Sequence, residues 1–166
     1  MLSLSDDSST DKASPGAEVD EVARHADSRF PPDGEMRAWR EGPVVICRAR
    51  GPFNAEFMRA YARMWAAHSG DWVDADLQVI HTVWAGSMLT SPDGLQVFGA
   101  LMERAAQQLP QHTLHLWTAE ADVEARSLML PIWHGILRKL GLQSQDCYSE
   151  QEAAQIIAAR LARPRG

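Results

Sequence analysis

The sequence predicts a single α/β domain: a mixed sheet of about five strands with about four helices, in the order ββαβαβαβα. Three observations predict it. Strand-length apolar runs alternate with stretches of helical spacing over residues 35–163, which implies parallel strands joined by crossover helices. The first two strand-like runs are separated only by "REGP", a hairpin turn that adds an antiparallel pair. The chain has 166 residues of which 45% are apolar, enough for one domain with a substantial core.

Residues 1–34 read as a disordered acidic tail, with the domain occupying 35–163. The tail holds eight acidic and three basic residues and is rich in Ser, Asp, Pro and Gly, so ordering it would cost entropy for little burial. Within it, "AEVDEVARHA" (17–26) is the one stretch that could form a short helix, with Val19 and Val22 on one side. "PPDG" is a turn signal and marks the domain start.

The first two strands lie in "EMRAWREGPVVICRARGPF". The second alternates, with Val45, Cys47 and Ala49 on one face and Val44, Ile46, Arg48 and Arg50 on the other. "GPFNAEFMRAYARMWAAHSG" reads as a helix capped by Asn54 and stopped at Gly70, with Phe57, Tyr61, Trp65 and His68 as its packing stripe. "DLQVIHTVW" (76–84) is the next strand, followed by a polar loop. A helix from about Pro92 to Leu109 packs Leu95, Phe98, Met102 and Ala105. Ser91 caps it, Pro92 suits its first turn, and Asp93 favours the positive end of its dipole. "HTLHLWTA" (112–119) is a fourth strand. "DVEARSLMLPIWHGILRKLG" (122–141) is a third helix, with Asp122 as its cap. Its apolar stripe is Val123, Leu128, Ile132, Ile136 and Leu140, and Pro131 inside it predicts a kink. A short strand around "QDCYS" precedes "SEQEAAQIIAARLA", a helix opened by the capping box Ser149-x-x-Glu152.

Charge and motifs exclude several classes. Outside the tail, 14 acidic residues face 13 basic ones, and the whole chain has two lysines, which gives no broad positive field for nucleic acid. No apolar run reaches the length of a membrane span. "MLSLSDDSSTD" lacks the basic start and apolar middle of a signal peptide, so a cytoplasmic location is expected. Cys47 and Cys147 read as buried, reduced thiols. The six histidines show no metal-ligand spacing: His112 and His115 fall on opposite faces of a strand. No cofactor or metal is expected. Ser87 or Ser91 with His81 and Asp93 is the one nucleophilic triple that can be drawn, and "AGSML" lacks the flanking glycines of a nucleophile elbow. No phosphate-binding glycine loop is present. An enzyme is therefore not expected. Trp39, Trp65, Trp84, Trp117 and Trp133 fall in the predicted elements. Trp72 falls in a polar loop, where it could anchor a partner.

The stretch "VIHTVWAGSMLTSPDGLQVFGALM" carries a resemblance. Its strand, loop and helix, with Ser91-Pro92-Asp93-Gly94-Leu95 at the junction, are similar to the STAS domain and the broader SpoIIAA-like group, over about residues 35–163. The resemblance implies that the loop at 85–94 is a protein-contact site. In anti-sigma antagonists that loop reads Asp-Ser-Ser-Gly-Leu and its serine is phosphorylated. Gly94 and Leu95 match, but Pro92 stands where the serine would be, so the usual switch cannot operate. Ser87, Thr90 and Ser91 are the remaining hydroxyl candidates. The expected function is a non-enzymatic binding or regulatory module acting on a protein partner, through Trp84, Gly86, Ser87, Met88, Ser91, Asp93 and Gly94. In this scheme Trp84, Met88 and Leu89 form an apolar patch, and Gly86 and Gly94 allow tight backbone paths. A homodimer is compatible with so many tryptophans. The alternative is a carrier of a small apolar molecule or lipid, as some SpoIIAA-like proteins resemble lipid-transfer domains. It would need a cavity between the sheet and the Pro131 helix.

Overall fold

The computed structural model describes residues 12–163. Six strands form one sheet in sequential order: β1 (Asp20–Glu21), β2 (Glu35–Glu41), β3 (Val44–Phe53), β4 (Val79–Thr90), β5 (Leu114–Ala119) and β6 (Gln143–Cys147). The first three are antiparallel neighbours, and β3 through β6 are parallel. The helices are α1 (Ala55–Ala67), the single turn α2 (Ser69–Trp72), α3 (Pro92–Gln108), α4 (Arg126–Lys139) and α5 (Glu150–Leu161). The mixed α/β sheet expected from the sequence is therefore present, with one strand and one short helix more than expected.

Alternation along β3 and β4 divides the hydrophobic residues between two cores. Val45, Cys47, Ala49, Ile80 and Trp84 face α1, α3 and α4, which supply Phe57, Met64, Phe98, Leu101, Trp133 and Leu137. On the opposite face Val44, Val79, Leu114, Leu116 and Cys147 meet Ala153, Ile156 and Ile157 of α5. Both cysteines are buried and free, one in each core.

The helix starts follow their caps. Asn54 Oδ1 accepts from Phe57 N at 2.8 Å, Ser91 Oγ from Gly94 N at 3.1 Å, and Ser149 Oγ from Glu152 N at 3.1 Å. The Glu152 carboxylate reaches back to Tyr148 N, completing the reciprocal arrangement one residue early.

Four expectations need correction. The folded unit begins before residue 35: β1 pairs with β2, and the 3-10 turn Val22–His25 seats Val22 in the core. Asp20 fixes that segment, its Oδ2 meeting His25 Nε2 at 2.6 Å and His68 Nε2 at 2.7 Å. Residues 1–11 of the expected tail lie outside the described residues. Gly70 does not end helical structure, because α2 follows α1 directly. This turn buries Trp72, whose ring stacks on His68 at 4.0 Å, so Trp72 is no exposed anchor. Finally, α4 starts at Arg126 and packs Met129, Leu130, Trp133 and Leu137, leaving Leu128 and Ile132 exposed. Of the expected stripe, Val123, Ile136 and Leu140 do pack against the core, and only Leu128 and Ile132 do not, because the helix is apolar over much of its circumference.

Candidate functional site

The junction after β4 is not a loop. β4 runs on to Thr90 because β3 extends to Phe53 and offers its backbone. Gly51 pairs with both Gly86 and Ser87, a bulge, and Ser91 N donates to Phe53 O at 3.0 Å. On the other side, Met88 N donates to Glu124 O at 2.9 Å and Glu124 N to Gly86 O at 3.0 Å. The backbone is thus held from both sides. Gly86 has φ of 67°, in the left-handed region that favours glycine. At Gly51 a Cβ would come within 2.2 Å of Ser87 O, so this bulge needs glycine in both strands.

This backbone turns most of the expected contact residues inward. Met88 is fully buried, and Ser87 and Gly94 are buried. Trp84 is buried against Trp133 at 4.6 Å and Phe53 at 5.4 Å between ring centroids. The Ser87 hydroxyl accepts from Leu89 N at 3.1 Å, and Thr90 Oγ1 donates to Met88 O at 3.2 Å. Of the expected contact residues, Gly86, Leu89 and Asp93 are exposed, with Ser91 half-buried as the helix cap. The expected Trp84–Met88–Leu89 patch is not a surface patch. Nor is the nucleophilic triple assembled: His81 Nε2 bonds Thr118 Oγ1 at 2.8 Å on the α5 face.

The sheet does border open surface at residues 48–50 of β3, residues 83–86 of β4 and Thr118 of β5. Two grooves of about 550 and 460 Å³ share Arg48, Val83 and Ala85. Their rims carry both signs of charge: Arg37, Arg50, Glu21 and Glu35 around one, Glu120, Asp122 and Glu150 around the other. Arg48 is paired with Glu150. Beyond the grooves, Arg126 donates from Nη2 to Asp146 Oδ2 at 3.0 Å, and its guanidinium lies 3.8 Å from the Tyr148 ring centroid.

A different site lies between α1 and α3. Tyr61 and Trp65 of α1, Leu101, Met102 and Ala105 of α3, and Ile80 of β4 wall a cavity of about 160 Å³. Ser69, Arg104 and Gln108 stand at its exposed rim. His115 of β5 lies at its inner end. His115 is buried, and its Nε2 has no hydrogen-bond partner. Burial holds its pKa down at about 4, so it is neutral at physiological pH.

His115 also lines a second void of about 20 Å³, deeper in the molecule, together with Trp84, Trp117 and Trp133. The two spaces share the wall residues Tyr61, Ile80, Met102 and His115. The expected cavity beneath the Pro131 helix is in part this small void, since Trp133 belongs to α4. The larger space lies instead between α1 and α3. Sequence reasoning passed over His115 because it treated the histidines as metal candidates. The register Ile80↔His115, which points this side chain at the helices, is not visible in one strand alone.

Among the described residues, no group of three or more His, Cys, Asp or Glu could hold a metal ion, and no helix is long and apolar enough to cross a membrane. Compared with protein-family models, with curated proteins and with solved structures, the chain matches none.

Proposed function

We propose that the protein is a STAS-like module that binds a small, largely apolar molecule between α1 and α3. The observation that carries this reading is the cavity of about 160 Å³ with mainly apolar walls and a neutral, buried histidine at its end. An engineered apolar cavity of about 150 Å³ is known to take up a benzene-sized guest. Small-molecule sites combine such apolar walls with few polar groups. The walls are mainly apolar, with Ser69 at the rim donating its hydroxyl to Ala66 O and His115 neutral at the inner end, which supports binding as the activity of this site. Native mass spectrometry of freshly purified protein is the first test. A co-purifying mass in wild type that is missing from Ala105→Phe, which fills the cavity, supports the reading. A bare mass together with no thermal shift from benzene-sized probes refutes it.

A second reading keeps the expected protein partner and narrows its contact surface within the 85–94 segment. It rests on Leu89, 44% exposed near the carboxyl end of β4, the edge where open α/β sheets commonly bind ligands. Its test is Leu89→Asp: loss of a captured partner, with the unfolding midpoint unchanged, favours this surface over the cavity.

A further inference from the structure

Three buried side-chain nitrogens lack a hydrogen-bond partner and belong to residues around one void: Trp84 Nε1, Trp133 Nε1 and His115 Nε2. Buried polar groups are rarely left this way, because an unmade buried hydrogen bond is costly. Finding three around a single space of about 20 Å³ calls for an occupant. That volume suits one oxygen atom, since a cavity of roughly 10–15 Å³ or more holds a water.

We infer that the molecule bound between α1 and α3 carries a single uncharged hydroxyl, as an alcohol or phenol, whose oxygen seats among Trp84, Trp133 and His115. The inference rests on the cavity reading above and adds the chemistry of the ligand's head.

The donor and acceptor count selects the group. An indole N–H donates only, so the two tryptophans require an acceptor. A neutral imidazole Nε2 can accept. One hydroxyl group can accept from both indoles and donate its own hydrogen to His115, so its donor and acceptor count matches the three nitrogens. A methyl group in the same place satisfies none. A carboxylate is disfavoured there: the void's walls include Phe57, Phe98 and Trp117 but no cation, and an unpaired buried charge is far more costly than a buried hydroxyl. Arg104 is too far out to help, since it belongs to the exposed rim of the outer cavity. The flexible, unbranched Met102, shared by both spaces, is the wall most able to yield as a ligand passes inward.

The experiment compares three probes of one ring each on the full chain: benzyl alcohol, ethylbenzene and benzoate. Dissociation constants come from ligand-observed NMR, with tryptophan emission as a second readout. The expected order places benzyl alcohol at least roughly fivefold tighter than ethylbenzene, about the value of one net hydrogen bond, and benzoate weakest. Trp84→Phe and Trp133→Phe keep an aromatic ring but remove one donor each, and each should shrink the alcohol's advantage. If a variant fails to fold, the wild-type ratio of benzyl alcohol to ethylbenzene still decides. Equal or tighter binding of ethylbenzene overturns the hydroxyl inference while leaving the cavity reading intact, as would be seen if a water alone occupied the void. Tighter binding of benzoate also overturns it and moves the head group to Arg104. Failure of all three probes to bind overturns both the inference and the reading beneath it.

Discussion

His115 and His81 occupy adjacent strands but opposite faces of the sheet, one toward α3 and one toward α5. Burial lowers the pKa of each from 6.5 to about 4; at His81 Glu150 opposes the shift and Arg48 adds to it. The unfolded chain therefore takes up these protons first, and stability falls as pH drops from 6.5 toward 4. A lowering of that size corresponds to roughly 3 kcal/mol per histidine at the bottom of that window. Urea unfolding at pH 7.5 and pH 5 should show a clear loss of stability in wild type, and His115→Gln should reduce it by about half. Asp20 acts lower on the scale. Burial raises its pKa, but hydrogen bonds from His25 and His68 and from Glu21 N outweigh this and hold it below 3.8. Its contribution is complete above that value and is lost as pH falls through the folded value. Ser91 works locally instead. Replacing it with alanine removes the cap on α3 and should cost about 1 kcal/mol in a urea titration, with no change in the pH profile.

Individual elements show what local sequence can and cannot specify. Helices α1, α3 and α5 were legible because Asn54, Ser91 and Ser149 cap their own first turns, and α1 and α3 have apolar residues recurring at helical spacing. The far end of β4 was not legible. "AGSMLT" has the composition of a loop, and only the distant backbones of Gly51–Phe53 and Glu124 make it a strand. The inward direction of Trp84 and Met88 follows from that pairing, so the site expected there could not be placed from composition. The segment before β2 was missed for a similar reason. A two-residue strand and one 3-10 turn leave almost no periodic signal, yet Val22 is buried in the main core and its 3-10 turn packs against β2 and α1. Val22→Ala should therefore destabilise the protein by about 1–3 kcal/mol. The same substitution at Val19, before β1, should change little. Paired urea titrations of the two variants distinguish a docked segment from a tail.

At the scale of the whole molecule, the sheet separates two cores of unequal size. Three helices cover one face, and α5 alone covers part of the other. The cavity lies in the larger core, and its two helices pack directly on each other. A ligand there touches α1, α3, β4 and β5 together, so it binds the folded chain and not the unfolded one. Its effect on stability follows from mass action: at a free concentration 100 times the dissociation constant, stabilisation is about 2.7 kcal/mol. Benzyl alcohol should accordingly raise the thermal midpoint in a concentration-dependent way. Ala105→Phe provides the control, because it replaces the guest with a covalent ring. In that variant the midpoint should no longer respond to benzyl alcohol, whereas Leu89→Asp at the carboxyl edge should respond as wild type does. A response that survives Ala105→Phe would mean that the alcohol binds elsewhere. A response lost in Leu89→Asp would transfer the site to the edge of the sheet.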